Sequence, residues 1–395
     1  MKRIISILAA LAVVFCANAQ RPRDVYYTVK KDLSVYVYNA NTGESYRLEN
    51  ASKAFNIGID DDHNVYVLAG EYSAGLGLYH NYVVYKNGKP YQSFYDSGNQ
   101  FFSSMAMKVV GNDVVVAGVE SRRFNSKGFE ARMVGYVNKV RVYQTDWERK
   151  SLKRDQFKGF SSIVGSGSKT RVLPSNNYNS MYESDTDSRV YYIAAVDYVD
   201  GYIYTTGWGE REYTETPLGY TKQYLVRRCP RVWKNGKQIV QQYENRTGAG
   251  LNIAVMRSGQ NILTSGHVRE HVCGWDGSKD MYIDESRNSQ IVKEAVIYGG
   301  MADGVPMFTR MFIDMDGSLF YVNSHRDGNQ RPILLGGGKC SDVVSVGNDF
   351  YVLNTSTKKV YKYSSSNWMK EEYDVFYEAT VSSDVLSSSL LAVHK

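Results

Sequence analysis

The chain has 395 residues, 43% of them hydrophobic, and its 47 basic and 41 acidic residues give a formal net charge of +6. The excess is small for this length and is spread along the chain, whereas nucleic-acid binders concentrate basic residues in one patch or stripe. The composition therefore argues against a nucleic-acid partner.

An export signal is predicted at the N-terminus. Lys2 and Arg3 form a basic region, residues 4–15 form a short apolar segment, and Ala17-Asn18-Ala19 has the small-x-small pattern of a cleavage site. No later segment reaches the about 18 apolar residues of a membrane span. Residues 1–19 are therefore predicted to be a signal peptide, and the mature protein, residues 20–395, is predicted to be secreted or periplasmic.

The four cysteines carry two predictions. Cys16 could anchor a lipoprotein, but Phe15 before it is large where a lipid-attachment box needs a small residue, so ordinary cleavage is favoured. Cys229, Cys273 and Cys340 remain after cleavage. In an oxidising compartment a Cys229–Cys273 disulfide and buried free thiols are equally good interpretations.

A two-part repeat organises the rest of the chain. The 33 tyrosines, 34 glycines and only seven prolines favour strands and tight turns. The first part is a turn followed by an alternating strand that ends in small residues. It occurs as DDHNVYVLAG (61–70), GNDVVVAG (111–118), DGYIYTTG (200–207), SGQNILTSG (258–266), DGSLFYVNS (316–324) and GNDFYVLNT (347–355).

The second part is a strand, a tight turn and another strand. It occurs as VVYKNGKPYQSF (83–94) and RVWKNGKQIVQQY (231–243), with Lys-Asn-Gly at the turn because Asn and Gly tolerate positive φ. The two parts together predict a four-stranded antiparallel sheet that recurs every 45–60 residues or so, the pattern of a β-propeller blade. The chain resembles secreted bacterial β-propellers with Trp/Tyr-Lys-Asn-Gly blade repeats.

The predicted fold is thus an all-β propeller in a single domain. Six copies of the first part and a partial N-terminal repeat predict seven blades, with strands from both termini closing the ring; six blades is the alternative, if the stretch around 336–338 belongs to a merged blade. Residues 157–189 break the repeat and are rich in Ser, Gly and Asn. They are interpreted as an inserted surface loop or a linker.

Polar residues follow the first-part strands, at positions that are equivalent in a propeller and therefore share one face. Carboxylates, histidines and arginines suit a polar ligand, and an aromatic ring suits the apolar face of a sugar. The predicted ligand-binding residues are Glu71, Glu120, Trp208, Glu210, His267, Arg269 and His325.

The stretch 267–271 reads His-x-x-Glu-His, the signature of the inverted zinc peptidases. Such a site requires a helix, but the motif lies between Gly266 and Gly274 in a strand-favouring context. Strand alternation would place His267 and His271 on one side and Glu270 on the other. A zinc peptidase is therefore rejected, and no metal or cofactor is predicted. A site that combines His267 or His271 with His325 is the remaining metal alternative.

Two functions remain from the sequence. The first is a non-catalytic exported propeller, expected to be a monomer, that binds a glycan, a peptide or an envelope protein through one face. The second is a carbohydrate-active enzyme, a polysaccharide lyase or glycoside hydrolase, whose acid and base come from the rim residues. The favoured interpretation is the first, because no catalytic motif is present.

Overall fold

This computed structural model describes residues 23–73, 78–98, 100–125, 128–149, 191–215, 223–241, 248–255, 262–268, 271–275, 280–284, 291–302, 305–314, 316–324, 332–335, 339–367 and 372–394. Within these ranges the chain forms strands joined by turns, and no helix there is long and apolar enough to cross a membrane. The predicted signal peptide and the predicted insertion at 157–189 lie outside the described residues.

The strands form seven sheets, numbered here in chain order. Sheet 1 contains β1 (Val25–Lys31), β2 (Ser34–Asn39), β3 (Ser45–Leu48) and β29 (Leu391–Val393). Sheet 2 contains β4 (Lys53–Ile59), β5 (Val65–Ser73), β6 (Leu78–Lys86) and β7 (Lys89–Phe94). Sheet 3 contains β8 (Gln100–Val110), β9 (Asp113–Asn125), β10 (Gly128–Val137), β11 (Val140–Gln144) and β12 (Glu148–Arg149).

The other four sheets follow in the same way. Sheet 4 contains β13 (Tyr191–Val199), β14 (Tyr202–Glu215), β15 (Gln223–Lys234) and β16 (Lys237–Gln241). Sheet 5 contains β17 (Gly248–Val255), β18 (Ile262–Val268), β19 (His271–Trp275) and β20 (Asp280–Asp284). Sheet 6 contains β21 (Ile291–Ala302), β22 (Val305–Asp314), β23 (Leu319–Ser324) and β24 (Ile333–Leu334). Sheet 7 contains β25 (Cys340–Val346), β26 (Asp349–Asn354), β27 (Lys359–Asn367) and β28 (Glu372–Thr380).

Each sheet is an antiparallel meander. Six sheets have four strands, and sheet 3 has a fifth, because the short β12 also pairs with β10. In sheets 2 to 7 the main strands lie side by side in chain order. In sheet 1 the order is β29-β1-β2-β3, with Val25 opposite Val393 and Tyr27 opposite Leu391. The predicted all-β propeller of four-stranded antiparallel blades is confirmed.

The hydrophobic core lies between neighbouring sheets. One cluster joins sheet 2 to sheet 3 and includes Leu68, Val84, Val116 and Val134, each essentially without solvent exposure. Equivalent clusters join sheet 3 to sheet 4, sheet 6 to sheet 7, sheet 7 to sheet 1, and sheet 1 to sheet 2. A single meander cannot bury both of its faces, so each sheet depends on its two neighbours for stability.

The Lys-Asn-Gly turns have the conformation that the sequence predicts. Asn87-Gly88 and Asn235-Gly236 both adopt positive φ in the hairpins β6–β7 and β15–β16. The asparagine also binds the first or second residue of the second strand of its sheet: its side-chain Oδ1 accepts that residue's N–H, and its own backbone N–H donates to that residue's carbonyl. Within the described parts of the chain, three clamps of this kind occur: Asn87 with Val65, Asn138 with Val114, and Asn235 with Ile203. The asparagine of the repeat thus has two roles: it adopts the positive φ of the turn, and it hydrogen-bonds to the second strand of the sheet.

Replacing Asn87 by Ala should destabilise the protein by about 1–3 kcal/mol, because the buried Val65 N–H loses its acceptor and Ala disfavours positive φ. The matched control is Asn87→Asp, which keeps an acceptor oxygen at the same position and tolerates the left-handed conformation. Urea unfolding of both variants tests this. Equal stability of Asn87→Ala and the wild type would contradict the role of the clamp.

One predicted strand occupies a different position from the others. Five copies of the first part of the repeat form the second strands of their sheets: β5, β9, β14, β18 and β26. The sixth copy, DGSLFYVNS, contains β23, which is the third strand of sheet 6. Ser324 at its end lies opposite Phe308 of β22. Because adjacent strands are antiparallel, β23 ends at the opposite end of its sheet from β5, β9, β14 and β18. The predicted equivalence of these strands is therefore wrong for β23, and His325 itself lies outside the described residues.

Candidate ligand-binding site

A cavity of about 610 Å³ runs between the innermost strands of the seven sheets. It is lined by residues of β4, β8, β13, β17, β21 and β25, and by residues 387–393, which include β29. Each sheet therefore contributes its first strand in sheet order, and the cavity is the axial channel of the propeller.

Polar side chains join neighbouring channel strands. In each of six junctions a side chain of one strand hydrogen-bonds to a backbone group of the next. These bonds join Asn56 to Met107, Ser104 to Ile193, Asp197 to Val255, Asn252 to Ile291, Ser345 to Val296, and Asp342 to Leu391, over 2.8–3.4 Å. The channel wall is thereby fixed at many points, which favours a preformed cavity over an adaptable one.

The two ends of the channel differ in chemistry. The strands run the same way along it, so their first residues form one opening, here called the first mouth, and their last residues form the second mouth. Lysines, a carboxyl group and serine hydroxyls line the first mouth: Lys53, Lys293, Asp342, Ser387 and Ser388. The second mouth is lined mainly by apolar residues, together with Ser345 and with Lys108 in its ion pair with Asp197: Ile59, Val109, Ala254, Val296, Val346 and Val393.

Lys53 is a partly buried ammonium group at the first mouth. Its Nζ lies 5.3 Å from the ring centre of Phe55 and 5.2 Å from that of Tyr79, which is cation–π distance. Burial lowers the pKa of Lys53, and the positive charges of Lys293 and Lys30 lower it further. Within the described residues, no carboxylate lies at ion-pair distance from Lys53.

Lys293 and Asp342 lie on neighbouring strands at the same mouth, with Nζ and Oδ1 3.8 Å apart. Lys293 is one-third exposed, whereas Asp342 is buried and accepts backbone N–H bonds from Val343 and Leu391. Burial raises the pKa of Asp342, against the opposing effects of Lys293 and these hydrogen bonds. Because the ion pair is long and Lys293 is partly exposed, its ammonium group is also available for contact with a ligand.

Other charged groups of the channel are already paired. The carboxylate of Glu294 binds Arg310 and accepts a hydrogen bond from the Ser265 hydroxyl, and both ionic side chains are 2% exposed. Lys108 binds Asp197 at 2.6 Å, and Asp197 accepts the N–H of Val255. Such pairs are costly to break when one partner is removed, so these groups stabilise the wall.

The structure places the predicted rim residues in different surroundings. Glu71 is exposed at the end of β5, follows Gly70 opposite Lys53, and accepts a hydrogen bond from Asn81 at 3.1 Å. Glu71 therefore lies on the face of the first mouth. Contact between Glu71 and a ligand stays a prediction.

Glu120 and Trp208 lie in the interior. Glu120 is 6% exposed and binds Arg132 at 2.5 Å. Trp208 has no solvent exposure and stacks on Tyr192 with ring centres 6.2 Å apart. Neither was recognised as a core residue from sequence, because both follow a strand that was expected to end earlier: β9 continues to Asn125 and β14 to Glu215.

The remaining predicted residues are described by backbone position or not at all. Glu210 is opposite Arg228 in sheet 4, and His267 is opposite Ala249 and Val272 in sheet 5. Arg269 and His325 lie outside the described residues. Ligand binding by this set stays a prediction.

The described residues of the His-x-x-Glu-His stretch belong to two antiparallel strands and not to a helix. His267 belongs to β18 and His271 to β19, and Val268 is paired with His271 across the two antiparallel strands. The continuous alternation expected from His267 to Cys273 is therefore wrong. Among the described residues, no group of three or more His, Cys, Asp or Glu side chains could hold a metal ion.

Of the three cysteines that follow the predicted signal peptide, the structure describes the side chain of Cys340 only. Cys340 is a buried free thiol, and burial raises its pKa to about 11. Cys229 lies in β15 of sheet 4 and Cys273 in β19 of sheet 5. Their disulfide stays a prediction.

A charged cluster in sheet 3 was missed from sequence. Arg122 pairs with Glu130 at 2.7 Å, Arg132 pairs with Glu120, and both guanidinium groups lie 4.1–4.5 Å from the ring centre of Trp147. In each ion pair the two residues are directly opposite one another across β9 and β10. Alternating charge at positions 120, 122, 130 and 132 was the available signal.

Glu120→Gln should lower stability by about 2 kcal/mol or more, because it leaves the guanidinium of Arg132 without its counter-charge in a largely buried place. The matched control is Glu71→Gln, since Glu71 is exposed and should change stability by less than about 0.5 kcal/mol. Thermal unfolding of both variants makes the comparison. Equal, small effects would show that Glu120 is not a structural ion-pair residue.

Comparisons with known proteins do not show a family for the chain. No protein-family model and no curated protein match the chain. Among solved structures, the β-propeller domain of the Trilobed protease from Pyrococcus furiosus is 11% identical, with a TM-score of 0.43, covering 92% of this chain and 94% of that one. A protein from Lactobacillus plantarum is 9% identical (TM-score 0.45; 94% and 100% covered), and apo AztD from Citrobacter koseri is 9% identical (TM-score 0.40; 94% and 99% covered). Its own strands and sheets identify the chain as a β-propeller.

Proposed function

We propose that the protein is an exported, non-catalytic binding protein that recognises its ligand at the first mouth of the axial channel. The observation that carries this proposal is the partly buried Lys53 ammonium group, which faces a preformed cavity without a carboxylate partner among the described residues. Around it, Glu294 and Asp197 are already held in ion pairs. The ammonium group of Lys53 is available to a ligand, whereas Glu294 and Asp197 are not available as a catalytic acid or base. This combination favours binding over catalysis.

The N-terminal signal pattern supports export, and the expected ligands are a glycan, a peptide or an envelope protein. The shape of the site narrows these, since only a small molecule or a protruding end of a larger one can enter a cavity of about 610 Å³. This volume lies in the usual range of small-ligand sites, roughly 300–1,000 Å³.

We also propose that the seven sheets are seven blades and that Leu391–Val393 closes the ring. The support is the strand order β29-β1-β2-β3, in which the first strand of sheet 1 comes from the other end of the chain. Closure of this kind removes an exposed edge and makes the channel continuous.

A screen of the purified protein on glycan and peptide arrays tests the binding site. Ser388 is exposed and lines the first mouth, so Ser388→Trp should obstruct entry and abolish binding. Ser45 is exposed in β3 and does not line the channel, and Ser45→Trp is the matched control, which should bind normally. Loss of binding only in Ser45→Trp, or in neither variant, would contradict a ligand site at the first mouth.

One observation favours the alternative of a carbohydrate-active enzyme. Asp342 lines the channel and has a raised pKa, which is the property of a general acid. Its hydrogen bonds to Val343 and Leu391 point to a structural role instead. Incubation of acidic and neutral polysaccharides with wild-type protein and Asp342→Asn distinguishes the two: product formation that Asp342→Asn abolishes would establish the enzyme.

A further inference from the structure

The chemistry of the first mouth is more specific than a general binding site, and the following inference rests on the proposed function. Lys53 on β4 and Lys293 on β21 both line the channel there, and they are near enough for the charge of Lys293 to lower the pKa of Lys53. Two ammonium groups that destabilise each other's charge gain from an anion placed between them. This predicts an anionic group in the ligand.

The rest of the mouth indicates what the anion is attached to. Ser387 and Ser388 are exposed and contribute hydroxyl groups that can donate and accept hydrogen bonds. Phe55 lines the channel beside Lys53. An aromatic face, hydroxyl groups and ammonium groups together match the apolar ring face, the hydroxyls and the carboxylate of an acidic sugar.

The size of the cavity agrees with a sugar better than with a bare inorganic ion. A sulfate or phosphate ion would leave most of the roughly 610 Å³ unfilled, whereas one or two sugar rings would contact several channel strands. The carboxyl groups of the channel wall do not repel the carboxylate of an acidic sugar, because each lies beside a cationic side chain. Glu294 is neutralised by Arg310, and the carboxyl group of Asp342 is buried beside Lys293.

We propose that the first mouth binds an acidic sugar, whose carboxylate lies between the ammonium groups of Lys53 and Lys293 and whose hydroxyls contact Ser387 and Ser388. Recognition is then by charge at the mouth and by shape inside the channel. A uronic acid is the simplest member of this class, because it differs from a neutral hexose by a single carboxylate.

Isothermal titration calorimetry of the purified protein with D-glucuronate, and with D-glucose as the neutral probe, tests the proposal. Glucuronate should bind and glucose should bind at least about tenfold more weakly, since a charge-assisted contact is lost. Lys53→Met and Lys293→Met should each weaken glucuronate binding by about tenfold or more. The matched control is Lys234→Met, because Lys234 also lies over an aromatic ring, 3.7 Å from the centre of Tyr202, but is not part of the channel.

The outcomes separate this inference from the proposed function. Equal binding of glucose and glucuronate would overturn the acidic-sugar assignment, and so would unchanged binding in a Lys53→Met variant whose unfolding temperature is at or above that of the wild type. Phosphate that competes as strongly as glucuronate would show that only an anion is recognised and would also overturn it. If glucuronate fails but Ser388→Trp removes an array ligand, this inference falls and the proposed binding site stands. If Ser388→Trp removes no ligand, the proposed function falls.

Discussion

Deletion of residues 390–395 should leave a chain that does not fold stably. Leu390, Leu391, Ala392 and Val393 are all at most 9% exposed. Burying a Leu or Val side chain contributes about 1.5–3 kcal/mol, so the loss is about 5 kcal/mol, comparable to the whole stability of many domains. The segment also contacts three sheets at once, through β1, the Asp342 carboxylate and the apolar cluster of sheets 1 and 2.

Urea unfolding and limited proteolysis of the truncated protein measure the effect. A substitution pair provides a finer test: Leu391→Asp should be severely destabilising because Leu391 is 1% exposed, while Leu386→Asp should be tolerated because Leu386 is 50% exposed. Addition of a peptide that spans residues 382–395 should restore part of the truncated protein's resistance to protease. A truncated protein with wild-type stability would rule out ring closure by this segment.

Lys53→Met should stabilise the folded protein even though it removes the proposed ligand contact. Burial and two neighbouring lysines lower the pKa of Lys53 below its usual 10.5, so the charged form costs folding free energy near neutral pH. Methionine keeps the aromatic contacts with Phe55 and Tyr79 without the charge. We expect a gain of about 0.5–1 kcal/mol, a small value because Lys53 is only partly buried and solvent screens its charge.

The pH dependence of the stability difference between Lys53→Met and the wild type is a second test of this charge environment. The cost is fully present below the folded-state pKa of Lys53 and disappears as pH rises above 10.5, where both states are neutral. The stability advantage of Lys53→Met should therefore be largest near neutral pH and shrink in alkaline solution. Urea unfolding between neutral and alkaline pH measures it. An advantage that grows with pH, or a variant less stable than wild type at neutral pH, would contradict the assigned burial and charge environment.

The architecture could be predicted from sequence because it depends on local signals that recur. Asn87-Gly88 and Asn235-Gly236 specify hairpins through positive φ, and alternating segments such as Val65–Ser73 have one face for each neighbouring sheet. The equivalent turn at Asn138-Lys139 has the same conformation without the glycine, so its sequence gave no comparable signal.

The candidate site was less predictable because it depends on how far each strand extends and on which strand of a sheet faces the axis. The predicted site lay in residues after the second strands, but β9 and β14 extend further and bury Glu120 and Trp208. Lys53 is the first residue of β4, and Lys293 lies near the start of β21. The two lysines reach the same mouth of the channel only because the sheets assemble around it. Their separation in sequence left no local motif.

A crystal structure of the protein soaked with D-glucuronate tests the central claim most directly. The account predicts density for the sugar in the first mouth, with its carboxylate within hydrogen-bond distance of Lys53 Nζ and Lys293 Nζ. An empty channel at a concentration that saturates binding in solution, or a sugar bound elsewhere on the propeller, would contradict it.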